Sequence, residues 1–278
     1  MSADVSHPIA KLAVDRESEA VVVEVGGLPI EFRTNHPPFR RLIERRYAGF
    51  LNPSARPACR FEIRLTRSAR GIEQDVRVFK VGSTWCLERG DFQAELDLRT
   101  CEGSIRQSGN PYSLDSVLRI THSLLLAREG GFLLHAASAI RKDRSFVFAG
   151  VSGAGKTTMI RIAPADLTVL TDEVSYVRRA GQRYRAYGTP FAGEWARSGA
   201  NLSAPLDTVF FLEKATANRV DSISPRAAAS ALLRHILFFA EDADLVRGVF
   251  DSAVEFVSRV NTARLAFQPD ASIWGLVG

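Results

Sequence analysis

Residues 150–157 read Gly-Val-Ser-Gly-Ala-Gly-Lys-Thr. This is the spacing G-x-x-x-x-G-K-[ST], which turns successive backbone N–H groups inward onto phosphate oxygens. The pattern constrains the fold around it, because a buried strand must deliver the loop and a helix must carry the chain away. Ser145-Phe146-Val147-Phe148-Ala149 supplies the apolar run of such a strand. The segment from Thr158 to Ala163 can begin the helix, whose N-terminus also favours anions. Gly150, Gly153 and Gly155 allow the bend, and the main chain from Ser152 through Ala154 to Thr158 forms the cradle. Lys156 adds charge for the outer phosphates, and the Thr157 hydroxyl is placed for Mg²⁺. The loop predicts a site for ATP and Mg²⁺.

Upstream, residues 1–110 read as a β-rich lobe for recognition or packing. Ala20 to Val25 and Leu28 to Phe32 flank Gly26-Gly27, a hairpin signal. Apolar residues at helical spacing run from Phe39 to Leu51. Clean alternation over 61–65, 76–81 and 92–98 predicts antiparallel strands with one wet face, and Trp85-Cys86-Leu87 fits one more. Residues 113–129 predict a helix with Ser113 as its cap and Gly130-Gly131 as its stop. From 111 to 278 the chain reads as the nucleotide-binding domain. Phe132 to Ile140 is strand-like and forms a hairpin into the phosphate loop. Residues 167–173 form an apolar strand ending in two carboxylates. Strands follow at 174–179, 183–187, 208–212 and 263–267, with helices from Ser224 to about Phe239 and from Asp242 to Arg259. The fold class is α/β (α+β), a β-rich lobe joined to a phosphate-loop domain.

Asp172 and Glu173 are the carboxylates a phosphoryl-transfer site needs, one toward the metal and one toward a hydroxyl nucleophile. Two adjacent acids also cap ordinary turns. His135 interrupts an apolar strand, where a lone histidine is ordinarily a satisfied core side chain. A strand beside the phosphate loop can instead hold it against Asp172 and tune that acid. Glu194, between Gly193 and Trp195, is either a metal or acceptor contact or an exposed loop acid. His122 and His235 fall on predicted helices and read as structural.

A histidine in an apolar strand (Leu133-Leu134-His135), a hairpin, the Gly150 to Thr157 loop and a strand ending in Asp172-Glu173 together resemble the catalytic domain of the HPr kinase/phosphorylase group. The resemblance covers roughly residues 112–268. It implies a phosphoenolpyruvate-carboxykinase-like nucleotide fold with a mixed, bent sheet, and Mg²⁺-dependent phosphate transfer to a serine hydroxyl. It also implies catalytic roles for Asp172, Glu173, His135 and Lys156, and metal contacts from Thr157, Asp172 and, loosely, Glu194. The first 110 residues do not resemble that group's regulatory domain.

The function expected is an ATP-dependent kinase acting on a serine of a peptide or protein. A small-molecule hydroxyl kinase and a non-catalytic ATP-binding switch are the alternatives. The chain of 278 residues is 46% hydrophobic and 24% charged, as soluble globular proteins are. Its net charge of +5 is scattered, which fits solvated faces better than a nucleic-acid surface. No apolar stretch is long enough to span a membrane, and the N-terminus lacks a signal pattern. The three cysteines suggest neither a disulfide framework nor a zinc site, so a cytoplasmic setting is expected. Self-association into a homo-oligomer stays open.

Overall fold

The computed structural model describes residues 20–66, 75–193 and 198–278. Strands β1 (Ala20–Val25) and β2 (Leu28–Arg33) form the expected hairpin, followed by helix α1 (Pro37–Arg46). Strands β3 (Cys59–Leu65), β4 (Arg77–Val81), β5 (Thr84–Arg89), β6 (Phe92–Asp97) and β7 (Glu102–Gln107) complete a first sheet in the order β1-β2-β3-β7-β6-β5-β4. The β2–β3 and β3–β7 pairs are parallel, so this sheet is mixed, whereas alternation alone predicts antiparallel strands. Period-2 burial says which face is dry, not which way a neighbour runs. In β3, Cys59, Phe61 and Ile63 point inward while Arg60, Glu62 and Arg64 stay outside.

Helix α1 stops at Arg46 rather than running to Leu51. Tyr47 is drawn inward, where its hydroxyl donates to Asp115 Oδ1 at 2.6 Å, and a short 3₁₀ turn (Ala48–Phe50) follows. Helix α2 (Pro111–Glu129) begins two residues earlier than its pattern suggests. Its cap is Asn110, whose side chain accepts from the Tyr112 N–H at 3.0 Å, with Pro111 in the first turn. Ser113 is instead buried inside the first turn and donates to Asp91 Oδ2 at 2.6 Å. A Pro at the first helical position favours the earlier cap. Gly130, at φ 76°, ends the helix in the left-handed conformation.

The second sheet contains β8 (Phe132–Arg141), β9 (Arg144–Ala149), β10 (Thr168–Thr171), β11 (Val174–Ala180), β12 (Arg183–Tyr187), β13 (Ser203–Lys214), β14 (Arg219–Ser222) and β15 (Asn261–Phe267). The short helix α3 (Lys156–Arg161) follows β9, while α4 (Pro225–Leu233) and α5 (Ala243–Arg259) lie between β14 and β15. β9 pairs antiparallel with β8 and parallel with β13, and β13 is parallel to β15. β8 also pairs with β11, β11 with β12, and β12 with β13. These pairings close a ring of five strands around an apolar interior that includes Phe132, Leu134, Val147, Val209 and Phe211. Both sheets are thus mixed, in a strand-rich α/β arrangement.

Helix α4 ends at Leu233 rather than near Phe239. The open edge of β8 captures the chain there. His135 N–H donates to the His235 carbonyl at 2.7 Å, and Leu237 N–H donates to the Leu133 carbonyl at 2.8 Å. Two strand-type bonds satisfy the backbone that the helix would otherwise have used.

One apolar cluster joins the two sheets across α2. It contains Val23, Ile30, Phe61 and Leu87 from the first sheet, Leu114, Val117, Leu118 and Leu124 from α2, and Leu133, Val174 and Tyr176 from the second. The β1–β2 turn lies against Tyr176, where a Cβ at Gly26 would stand 2.1 Å from the ring; its φ of 63° needs glycine as well. No helix among the described residues is long and apolar enough to cross a membrane.

His122, fully buried on α2, sits with Nδ1 3.3 Å from the Tyr176 hydroxyl. Burial is the main cause that pushes its pKa down to about 3. The unfolded imidazole binds a proton below its ordinary pKa of about 6.5 and the folded one does not. Stability is therefore full above that value and falls as pH drops toward the folded pKa. Between pH 7 and pH 5 this one group is expected to cost about 2 kcal/mol. In urea melts at the two pH values, His122→Phe should reduce that difference by a comparable amount. An unchanged difference would show that His122 does not govern the acid limb.

Candidate functional site

The phosphate loop leaves β9 at Ala149, beside Phe211 of parallel β13. A Cβ at Gly150 would meet the Cβ of Ala154 at 2.7 Å, so the loop curls back on its own start. Gly153 and Gly155 hold φ 74° and 108°. A Cβ at Gly155 would also strike Phe267 of β15 at 2.6 Å, whereas nothing lies within 4 Å of one at Gly153. These two sites make a graded test. Gly155→Ala combines backbone strain, about 1–3 kcal/mol at such φ values, with a clash against a packed ring. Gly153→Ala carries the strain alone. Thermal melts should show the larger loss for Gly155→Ala, and equal losses would contradict the packing described.

Lys156 is nearly buried, at 7% exposure, and its Nζ donates to the carbonyls of Gly150 at 2.8 Å and Val151 at 3.2 Å. The ammonium thus bridges the loop it belongs to. Helix α3 starts at Lys156, not Thr158, and is only six residues long. Backbone amides and the lysine, more than a long helix dipole, are what a loop of this shape offers an anion.

The two acids lie in the turn between β10 and β11. Thr171 Oγ1 accepts from the N–H groups of Glu173 and Val174, both at 3.2 Å, and this pins the turn. The carboxylates part company there. Asp172 is 1% exposed, and its Oδ1 accepts from the Gly193 N–H at 3.0 Å. Glu173 stays about one-third exposed and brings Oε1 to 3.8 Å from His135 Nδ1. His135 reaches this place because β8 pairs it directly with Val174 of β11. The acid opposite the histidine is therefore Glu173, where Asp172 was expected.

His135, Glu173, Lys156 and Thr157 line one cleft of 150 Å³ together with Ser152, Gly153, Gly155 and Thr158. Burial, then the charge of Lys156, push the His135 pKa below its ordinary value against the opposing pull of Glu173. The ring is thus neutral at pH 7, with a nitrogen able to accept a proton. His235 lies close by, its pKa pushed down to about 4, mainly by burial and then by Lys156. Its ring stacks on Phe211, and its carbonyl holds the His135 backbone, so it supports the site structurally.

Glu194, expected as a metal contact, lies outside the described residues. No group of three or more His, Cys, Asp or Glu side chains among the described residues is arranged to hold a metal ion. Mg²⁺ at a nucleotide takes most of its ligands from phosphates and water and only one or two from carboxylates. Thr157 lines the cleft, where its hydroxyl would hold such an ion. Asp172 does not line it.

Two contributors have no mark in the motif. Gly193 approaches both acids so closely that a Cβ would lie 2.7 Å from Glu173 Oε2 and 3.0 Å from Asp172 Oδ2. A glycine beside an acid in a loop is its only trace in the sequence. Arg119 of α2 lies near enough for its charge to lower the His135 pKa. Larger hollows occur elsewhere, one of 710 Å³ between α4 and α5. The candidate site rests on its converging chemical groups rather than on volume.

A family model described as SynChlorMet cassette protein ScmC matches residues 112–275, and the chain belongs to that family. The assignment to the HPr kinase/phosphorylase group is corrected by this match, since the matching family is ScmC and not an HPr kinase family. The loop, strand histidine and paired acids that carried the resemblance all lie inside the ScmC span. They do not single out one family. No curated protein matches the chain.

Proposed function

We propose that this member of the ScmC family is an ATP- and Mg²⁺-dependent phosphotransferase. It passes the γ-phosphate to a hydroxyl acceptor, in the simplest case a serine of a peptide or protein. The observation that carries the reading is the meeting of Lys156 and Thr157 with Glu173 and neutral His135 in one cleft. Phosphoryl transfer asks a protein mainly for positioning and charge neutralisation, and this group of residues supplies both.

The amides of the loop and the Lys156 ammonium hold the phosphates. Mg²⁺ bound there neutralises charge on the phosphate oxygens. The acceptor oxygen bonds to the γ-phosphorus as the bond to the β–γ bridging oxygen breaks. The hydroxyl proton goes to Glu173, whose Oε1 lies 3.8 Å from His135 Nδ1. Asp172 holds the chain at Gly193 and so keeps the cleft wall in place.

The test is a transfer screen with γ-labelled ATP against serine peptides and small alcohols. Label appearing in an acceptor, with ADP released in step, supports the reading. Tight ATP binding with no transfer to any acceptor would favour a nucleotide-controlled switch instead. Activity with alcohols but not peptides would assign a small-molecule kinase.

A further inference from the structure

Arg119 is a charge without an evident structural purpose. It lies on α2, most of whose surface is buried. Its side chain is largely desolvated, and its Nε is buried with no hydrogen-bond partner among the described residues. The acid one helical turn before it, Asp115, is already committed. Asp115 accepts from Arg46 Nε at 2.8 Å and from the Tyr47 hydroxyl at 2.6 Å. Among the described residues no ion pair involves Arg119. Burying a guanidinium in this state is costly, and arginine does not escape by losing its proton.

The guanidinium instead lies over the ring of Phe191, 4.7 Å from its centroid. Phe191 is two residues from Gly193, whose N–H is bonded to Asp172 and whose Cα abuts Glu173. Stacking on a buried ring fixes the position of a planar cation without using its N–H groups. The Arg119 charge lies near enough to act on both Glu173 and His135. Lys156 and the loop amides follow β9 while Arg119 belongs to α2, so the two cations come from different elements of the fold.

We infer that Arg119 is a further residue of the site, a guanidinium poised to take the oxygens of the phosphoryl group as it moves from the nucleotide toward the acceptor. This rests on the phosphotransferase reading. As the bond to the bridging oxygen breaks, charge spreads over the equatorial oxygens of the phosphoryl group. Arg119 donates hydrogen bonds to that charge and neither gains nor loses a proton. A site of this kind binds the free diphosphate without using Arg119 and binds the diphosphate with a phosphoryl mimic more tightly because of it.

The experiment is calorimetry on the full chain with ADP·Mg²⁺, alone and with aluminium fluoride as the phosphoryl mimic. Arg119→Met keeps the apolar stem over Phe191 and removes the charge. It is expected to bind ADP as the wild type does and the fluoride complex about 10- to 100-fold more weakly. Arg119→Lys should recover part of that loss, since it restores charge without the planar fork. Equal weakening of both ligands would reveal a structural role only and overturn the inference. So would wild-type affinity for the fluoride complex in Arg119→Met, or failure of fluoride to tighten ADP binding to the wild type. If the wild type binds neither ligand, the nucleotide-site reading itself has failed, a result distinct from those.

Discussion

Lys156→Ala is expected to remove measurable ATP·Mg²⁺ binding while leaving the protein folded. The ammonium is nearly buried and bridges the Gly150 and Val151 carbonyls, so it organises the loop before any phosphate arrives. Alanine loses the charge that offsets the terminal phosphates and leaves those carbonyls without this donor. Charge-assisted hydrogen bonds contribute about 1.5–3 kcal/mol each, so losing two from the ammonium to the phosphates implies a loss of at least about 100-fold. The strands around the loop are held by their own ladders and by Phe148, Phe210 and Trp274, which pack without Lys156. Circular dichroism should therefore show native secondary structure in the variant. Calorimetry with wild-type affinity would sink the assignment of the loop.

Glu173→Gln is expected to stop transfer without stopping nucleotide binding. Glutamine keeps the shape of the side chain and loses the ability to take a proton. Loss of a general base lowers turnover by about 10²–10⁴-fold, while affinity for ATP should move little. Asp172→Asn should behave differently. Asparagine retains an oxygen to accept from Gly193 N–H, and Asp172 does not line the cleft. Its expected signature is a smaller loss of turnover, with faster hydrogen exchange at the Gly193 amide. These outcomes are read with a validated acceptor at saturating ATP. If Asp172→Asn abolishes transfer and Glu173→Gln does not, Asp172 is the base and Glu173 the supporting acid.

Much of this architecture is local, and local features can be read from the chain. The Gly26-Gly27 hairpin, the apolar stripe of α2 and the approach of β9 to the phosphate loop depend on neighbours a few residues apart. Features set by distant pairing are not readable in that way. The end of α4 depends on an edge of β8 about a hundred residues earlier along the chain. The cap at Asn110 displaces Ser113 because Ser113 finds a buried partner, Asp91, in another part of the chain. The paired acids are visible as a pair, but their division of labour is not. Thr171 folds the turn so that one carboxylate is buried and its neighbour faces His135. Arg119 looks like one charge among many, because its burial, and its lack of an acid partner among the described residues, exist only after Arg46 and Tyr47 have claimed Asp115. Family membership has the same difficulty. A glycine-rich loop, a histidine and two acids are too few features to distinguish ScmC from other families.

A crystal structure of the full chain with Mg²⁺ and an ATP analogue whose γ-phosphate cannot be transferred would test the phosphotransferase site outright. The triphosphate is expected against the backbone N–H groups of residues 152–158, with Lys156 Nζ on its outer phosphates. Glu173 and His135 are expected on the open side of the γ-phosphorus, where an acceptor hydroxyl would arrive. A nucleotide bound elsewhere, or a γ-phosphate seated in the loop with Glu173 and His135 turned away from it, would contradict the proposed transfer.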